Sequence, residues 1–114
     1  NAAEVRARLI VEGANAPTTA DADAILRERG ERIVPDILAN AGGVTASYFE
    51  WAQSRQGYPW DEGIVAERLR AQMEAAFVDV WARAQVLGTD LRTGAFVLAL
   101  ERIAEAIEAR GLFP

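Results

Sequence analysis

The chain has 114 residues, 51% of them hydrophobic, and a formal net charge of −5, which allows one small core and disfavours nucleic acid or an anionic membrane as partner, because phosphate-rich surfaces select basic patches. It contains no cysteine and no histidine, so disulfides, thiolate chemistry and the usual neutral-pH proton carrier are excluded. All 12 basic residues are arginine, so no lysine amine is present for Schiff-base chemistry.

Arg8-Leu9-Ile10-Val11-Glu12 is a short apolar run bounded by charge and by Gly13, and reads as a buried strand. Asn15-Ala16-Pro17 breaks it. Thr18 or Thr19 can cap a helix with Asp21 and Asp23 near its positive end, Ala22, Ile25 and Leu26 as its buried stripe, and Gly30 just past its end. Arg32-Ile33-Val34 gives a second strand before Pro35, and Asp36 reads as a turn residue. Strand, helix, strand is a βαβ unit with parallel strands. Two strands alone do not make a stable sheet.

A helix is expected from Gly43 to about Gln56, with Val44, Tyr48 and Trp51 at helical spacing and the two aromatic residues as core, then a turn over Gly57-Tyr58-Pro59-Trp60. Asp61 caps the next helix, whose stripe runs Val65, Leu69, Met73, Phe77, Val80, Trp81 and Ala84 and which ends near Gly88. Asp90 caps a last helix reaching about Ala109, with Leu91, Ala95, Leu98, Ile103 and Ala106 facing inward and Gly111 stopping it. Gly94 inside that helix costs about 1 kcal/mol relative to alanine, which points to close packing against a neighbour. No apolar run is long enough to cross a membrane, and a soluble globular protein is expected.

Asn40-Ala41-Gly42-Gly43-Val44-Thr45-Ala46-Ser47 puts an amide, two glycines and a hydroxyl at a helix opening. Asn40, Val44 and Ser47 follow i, i+4, i+7 and project toward one side, beside backbone N–H groups that favour an anion. The Asn40 amide can both donate and accept, as a carboxamide partner requires. The same residues also read as an ordinary turn entering a helix. Asn15 directly follows the first strand, at the carboxyl end of a parallel sheet, where open α/β folds bind ligands; it equally suits a residue stabilising the Ala-Pro bend. Glu50 reads as a surface charge. No paired carboxylates, metal-ligand cluster or nucleophile–base constellation emerges, so no catalytic residue and no metal site is assigned.

Glu12-Gly13-Ala14-Asn15-Ala16-Pro17-Thr18-Thr19, Val34-Pro35-Asp36-Ile37-Leu38-Ala39-Asn40-Ala41-Gly42-Gly43-Val44-Thr45, Ser47-Tyr48-Phe49-Glu50-Trp51 and Asp90-Leu91-Arg92-Thr93 together resemble the glutamate dehydrogenases, within the Glu/Leu/Phe/Val dehydrogenase family. The similarity covers nearly the whole chain but only the end of such an enzyme. It implies an α/β fold: residues 1–60 as the second half of a Rossmann-like dinucleotide-binding domain, and 61–114 as a carboxyl-terminal helical segment. The Gly-x-Gly-x-x-Gly phosphate turn of the first half has no counterpart here. Missing strands leave a sheet edge open, so the rest of the enzyme or an oligomer is expected to cover it.

What the resemblance implies for function is an oxidoreductase that interconverts L-glutamate and 2-oxoglutarate with ammonia, using NAD or NADP. Asn15 would lie at the nicotinamide end of the cofactor site and Asn40 would hydrogen-bond the nicotinamide carboxamide. Val44 would line the substrate pocket and Ser47 would bind the side-chain carboxylate of glutamate. The catalytic lysines would lie outside this chain, so the segment alone is expected to be inactive. A hexameric homo-oligomer and a cytoplasmic location are also implied. Ala16 departs from the pattern, many relatives having glycine there. Two alternatives stay open: a non-catalytic regulatory or assembly module, and a dehydrogenase for branched-chain or aromatic amino acids, against which Ser47 argues.

Overall fold

A computed structural model describes residues 1–111; the last three positions of the expected carboxyl-terminal segment, 112–114, lie outside the described residues. A single 3-10 turn at Ala2–Glu4 leads into β1 (Leu9–Val11), α1 (Ala20–Glu28), β2 (Arg32–Val34), α2 (Asp36–Ala39), α3 (Ala41–Gln56), α4 (Glu62–Leu87) and α5 (Leu91–Arg110). The fold is mostly helical around one small parallel sheet, in which Leu9, Ile10 and Val11 pair with Arg32, Ile33 and Val34. Thr19 caps α1 by accepting from the Ala22 N–H, and Asp61 and Asp90 cap α4 and α5 by accepting from the Gly63 and Thr93 N–H groups. Short polar side chains at these positions satisfy donors that a helix start leaves free.

A core of Leu38, Val80 and Ala95, with Val34, Ala76, Leu91 and Leu98 packed on it, joins α2, α4, α5 and β2. The turn between α3 and α4 is pinned by Trp60, whose backbone N–H donates to Gln53 Oε1 at 2.7 Å and whose ring lies beneath the Arg68 guanidinium and beside Phe49. Gly88, at φ 62°, ends α4 in the left-handed region and lets the chain reverse into α5. The close approach expected at Gly94 is present. A Cβ built there would lie 2.9 Å from the Ala84 Cβ and 3.0 Å from the Ala84 Cα and N. Backbone atoms cannot yield, so Gly94→Ala should destabilise the protein by about 1–2 kcal/mol, overpacking outweighing the gain in helix propensity. An unchanged urea midpoint would show that α4 and α5 can part without loss.

Four expectations are corrected. The motif helix begins at Ala41 rather than Gly43, and Asp36 opens a separate short helix, α2, instead of sitting in a turn. Pro35 supplies the extended backbone that starts α2, at φ −70°, and the Asp36 carboxylate accepts the Ile37 N–H. Tyr48 and Trp51 are 60% and 57% exposed, and Ile103 is 56% exposed, so these apolar stripes are not core in this chain. Helical spacing identifies an apolar face; a neighbour must still cover it. In α1 the buried positions are Leu26 and Asp23, while Ile25 is exposed, because Asp23 is drawn inward by two arginines.

The accessible surface is 8530 Å², against about 6100 Å² for a folded monomer of this mass. The radius of gyration is 17.1 Å, against about 13 Å for a compact domain of this length. Leu9 and Val11 on the sheet and Phe96, Leu100, Ile103 and Ile107 on α5 contribute to the excess. Apolar area on this scale marks surfaces that fold against something else.

Candidate nucleotide and substrate site

Both strands run parallel and end on the same side, so the loops leaving them meet there. The loop after β1 carries Asn15, and α2, which follows β2, closes on Asn40. The two side chains are in contact: Asn40 Nδ2 donates to Asn15 Oδ1 at 2.6 Å. This bond leaves Asn40 Oδ1 as an acceptor and the Asn15 amino group as a donor. A single outside carboxamide has the complementary pair of groups.

Val44 and Ser47 follow one and two turns along α3 on the face that Asn40 begins. Val44 is 70% exposed, which rules out the core role for this valine within the described residues. Ser47 is exposed as well. Thr45 donates its hydroxyl to the Ala41 carbonyl at 2.9 Å, but among the described residues Ser47 makes no such bond to its own helix. Its hydroxyl is left for another partner. Tyr48 and Trp51 extend the same open face, their rings 5.8 Å apart.

The cluster of free N–H groups expected at the helix opening is reduced by α2. Because α2 feeds directly into α3, the Asn40 N–H donates to the Asp36 carbonyl at 3.0 Å and the Gly43 N–H to the Asn40 carbonyl at 3.2 Å. The polar character of the site therefore rests on side-chain amides more than on a bare helix terminus.

Beneath the amide pair lies a charge network that the sequence reading missed. Glu12, 3% exposed, accepts from Arg92 Nη2 at 2.6 Å through one oxygen and from the Asp36 N–H at 2.9 Å through the other. Arg92 also reaches Asp23 and Asp36, each at 3.3 Å. Asp36 in turn accepts the Ala16 N–H at 2.7 Å. Arg27 pairs with Asp23 and, at 2.7 Å, with Asp90, the cap of α5. The available signal was positional: Glu12 and Asp36 are acids placed just after the two strands, and Arg92 lies in one of the motif segments.

The protonation behaviour follows from these contacts. Burial pushes the Glu12 carboxyl up, but hydrogen bonds from Arg92, Thr18 and the Asp36 backbone outweigh it and hold the group below its ordinary 4.5. The Ala16 N–H is the main cause that lowers Asp36. Asp90 is lowered despite burial, by the Thr93 N–H and hydroxyl and by Arg27. The three carboxylates are thus ionised at neutral pH.

Ala16 has φ 45°, the only non-glycine residue at positive φ among the described residues. Its Cβ crowds the backbone there, which explains why glycine suits this position. Ala16→Gly should raise stability by about 0.5–1 kcal/mol, relief of strain exceeding the added entropy of the unfolded chain. A lowered melting midpoint would contradict this.

Two cavities open elsewhere. One, of about 480 Å³, lies between the sheet and α4, bounded by Leu9, Ile33, Phe77 and Trp81. The other lies among α3, α4 and α5 beside Phe49, Arg68 and Asp79. Neither contains Asn15, Asn40, Val44 or Ser47. Among the described residues no group of three or more acidic, histidine or cysteine side chains is arranged to hold a metal, and no helix is long and apolar enough to cross a membrane.

Residues 1–111 match the family model described as Glutamate/Leucine/Phenylalanine/Valine dehydrogenase. The glutamate dehydrogenase of Thermotoga maritima is 50% identical over 114 residues, which is all of this chain and 27% of that protein. An NAD-specific glutamate dehydrogenase of Staphylococcus aureus is 50% identical over 111 residues, or 97% of this chain and 27% of its own length. The crystal structure of glutamate dehydrogenase from Peptoniphilus asaccharolyticus superposes with a TM-score of 0.92 at 41% identity, over 98% of this chain and 28% of that one. The leucine-bound hetero-hexameric glutamate dehydrogenase of Thermus thermophilus gives a TM-score of 0.94 at 41% identity, over 99% and 27%. The chain thus spans little more than a quarter of the length of these relatives, and by fold and sequence together it belongs to the Glutamate/Leucine/Phenylalanine/Valine dehydrogenase family.

Proposed function

We propose that these residues form one wall of the active site of an NAD(P)-linked glutamate dehydrogenase, which interconverts L-glutamate and 2-oxoglutarate with ammonia. Residues 1–60 are read as the second half of a Rossmann-like dinucleotide-binding domain and 61–114 as its carboxyl-terminal helical segment. The observation that carries this reading is the Asn15–Asn40 amide pair at the carboxyl ends of two parallel strands, with the Asn15 amino group remaining as donor and Asn40 Oδ1 as acceptor. These are the groups that a nicotinamide carboxamide needs, and they support Asn15 and Asn40 as cofactor ligands. When bound, the nicotinamide supplies the site that takes up or gives back hydride.

Val44 packs against the carbon chain of the substrate and the Ser47 hydroxyl donates to its distal carboxylate. Both side chains are exposed and without another task in this chain, which favours these roles. With no lysine present, the groups that bind the α-carboxylate and carry the proton chemistry come from polypeptide outside these residues. The exposed apolar faces of the sheet and of α5 favour such a partner surface, in the remainder of the enzyme and in a homo-oligomer.

In the full-length enzyme, Asn40→Ala should raise the KM for the nucleotide by about tenfold, since a neutral hydrogen bond lost in a site that leaves its partner unpaired is worth about 1–2 kcal/mol. Initial rates at varied nucleotide concentration measure this. A KM equal to that of the parent enzyme would remove Asn40 from the cofactor site.

A further inference from the structure

We propose that Arg92, supplied by the last helix, is a positioning residue for the nicotinamide end of the site: it clamps the two loops that carry Asn15 and Asn40. The proposal rests on the reading of those asparagines as cofactor ligands. Its geometry is a chain of short contacts. From Arg92 the first step is Glu12, immediately after β1, at 2.6 Å. Glu12 then holds the Asp36 N–H, at the start of α2, at 2.9 Å. The Asp36 carboxylate holds the Ala16 N–H at 2.7 Å, one residue beyond Asn15. The Asp36 carbonyl receives the Asn40 N–H at 3.0 Å.

Both amides are therefore fixed to Asp36 through their own or the adjacent backbone, and Asp36 is fixed by Glu12 and Arg92. Loops after strands otherwise have the conformational freedom that blurs a binding geometry. A guanidinium suits the task because its planar fork meets three carboxylates with separate N–H groups, which the single ammonium of lysine does not reproduce. The clamp reaches across the sequence, 80 residues from Glu12 and 56 from Asp36. Arg27 completes it from below by joining Asp23 to Asp90, which sets the start of α5 and so the height at which Arg92 enters.

The test uses the full-length enzyme with Arg92→Lys and Glu12→Gln, each alone and combined with Asn40→Ala. The readouts are nucleotide Kd by fluorescence titration and kcat at saturating nucleotide. Arg92→Lys should raise Kd by about tenfold, because small displacements of positioning groups weaken a site strongly, with kcat changed by less than about threefold. In the Asn40→Ala background the same change should raise Kd by a smaller factor, about threefold, because only the Asn15 arm of the clamp is left to displace, and such non-additivity is the signature of residues acting through one another. A merely structural arginine would lower the melting midpoint and leave the Kd ratio equal in both backgrounds, which would overturn the proposal. If Arg92→Lys does not fold, Glu12→Gln carries the same comparison. Should Asn40→Ala bind nucleotide normally, the cofactor reading and the clamp fall together. Should Asn40→Ala weaken binding while Arg92→Lys and Glu12→Gln do not, the clamp alone falls.

Discussion

Replacing Arg92 with methionine in the full-length protein should lower stability by about 3–5 kcal/mol, the usual consequence of leaving a buried charge without its partner. The Glu12 side chain is 1% exposed and that of Arg92 21%, so solvent screens little of their interaction. Methionine keeps most of the length of the side chain, so the loss reports charge and hydrogen bonding more than volume. Urea unfolding measures it.

The pH dependence separates these causes. In the parent protein Glu12, Asp36 and Asp90 titrate below their ordinary values of 4.5, 3.8 and 3.8. Folded values that are depressed mean stability that is complete above the unfolded values and is lost as pH falls through the folded ones. The parent protein should therefore weaken on acidification below about pH 4.5. In Arg92→Met the depression of Glu12 is smaller, because burial is then opposed only by the hydrogen bonds from Thr18 and the Asp36 backbone, so that variant loses less stability on acidification. The gap between the two proteins should narrow as pH falls from about 6 to 3. A gap that stays constant across that window would assign the loss to packing.

Ser47→Ala should lower kcat/KM for glutamate by about 10–150-fold, the equivalent of about 1.5–3 kcal/mol for a hydrogen bond to a charged group. The rate with norvaline, which has the carbon chain but no distal carboxylate, should change little. Ser47 stands exposed on α3, two turns beyond Asn40, with its hydroxyl unused by its own helix. Alanine there keeps the helix and adds slightly to its propensity, so a general loss of folding is not expected. Equal losses for glutamate and norvaline would show that the residue shapes the pocket without reading the carboxylate.

Much of the local structure was legible in the sequence because its causes are local. Thr19, Asp61 and Asp90 cap helices through their own neighbours, and Leu9–Val11 and Ile33–Val34 are short apolar runs cut by turn residues. Gly94 was conspicuous because glycine in a helix is unfavourable unless something approaches closely, and Ala84 does. The candidate site residues were singled out in another way, through motifs that resemble a known family, while spacing alone left Asn40 either a ligand or a turn residue.

What only the tertiary structure decided depends on partners far apart in the chain. That Asn15 touches Asn40 follows from pairing β1 with β2, and that Asp23 turns inward and Arg92 gathers Glu12, Asp23 and Asp36 follows from bringing α5 against the strand ends. No local preference encodes a contact across 80 residues. Exposure was undecidable from the sequence for a related reason. The period of a helix tells which side chains share a face, and Tyr48, Trp51 and Ile103 do lie on apolar faces; whether such a face becomes core depends on the surface brought against it, which is a property of the assembled fold.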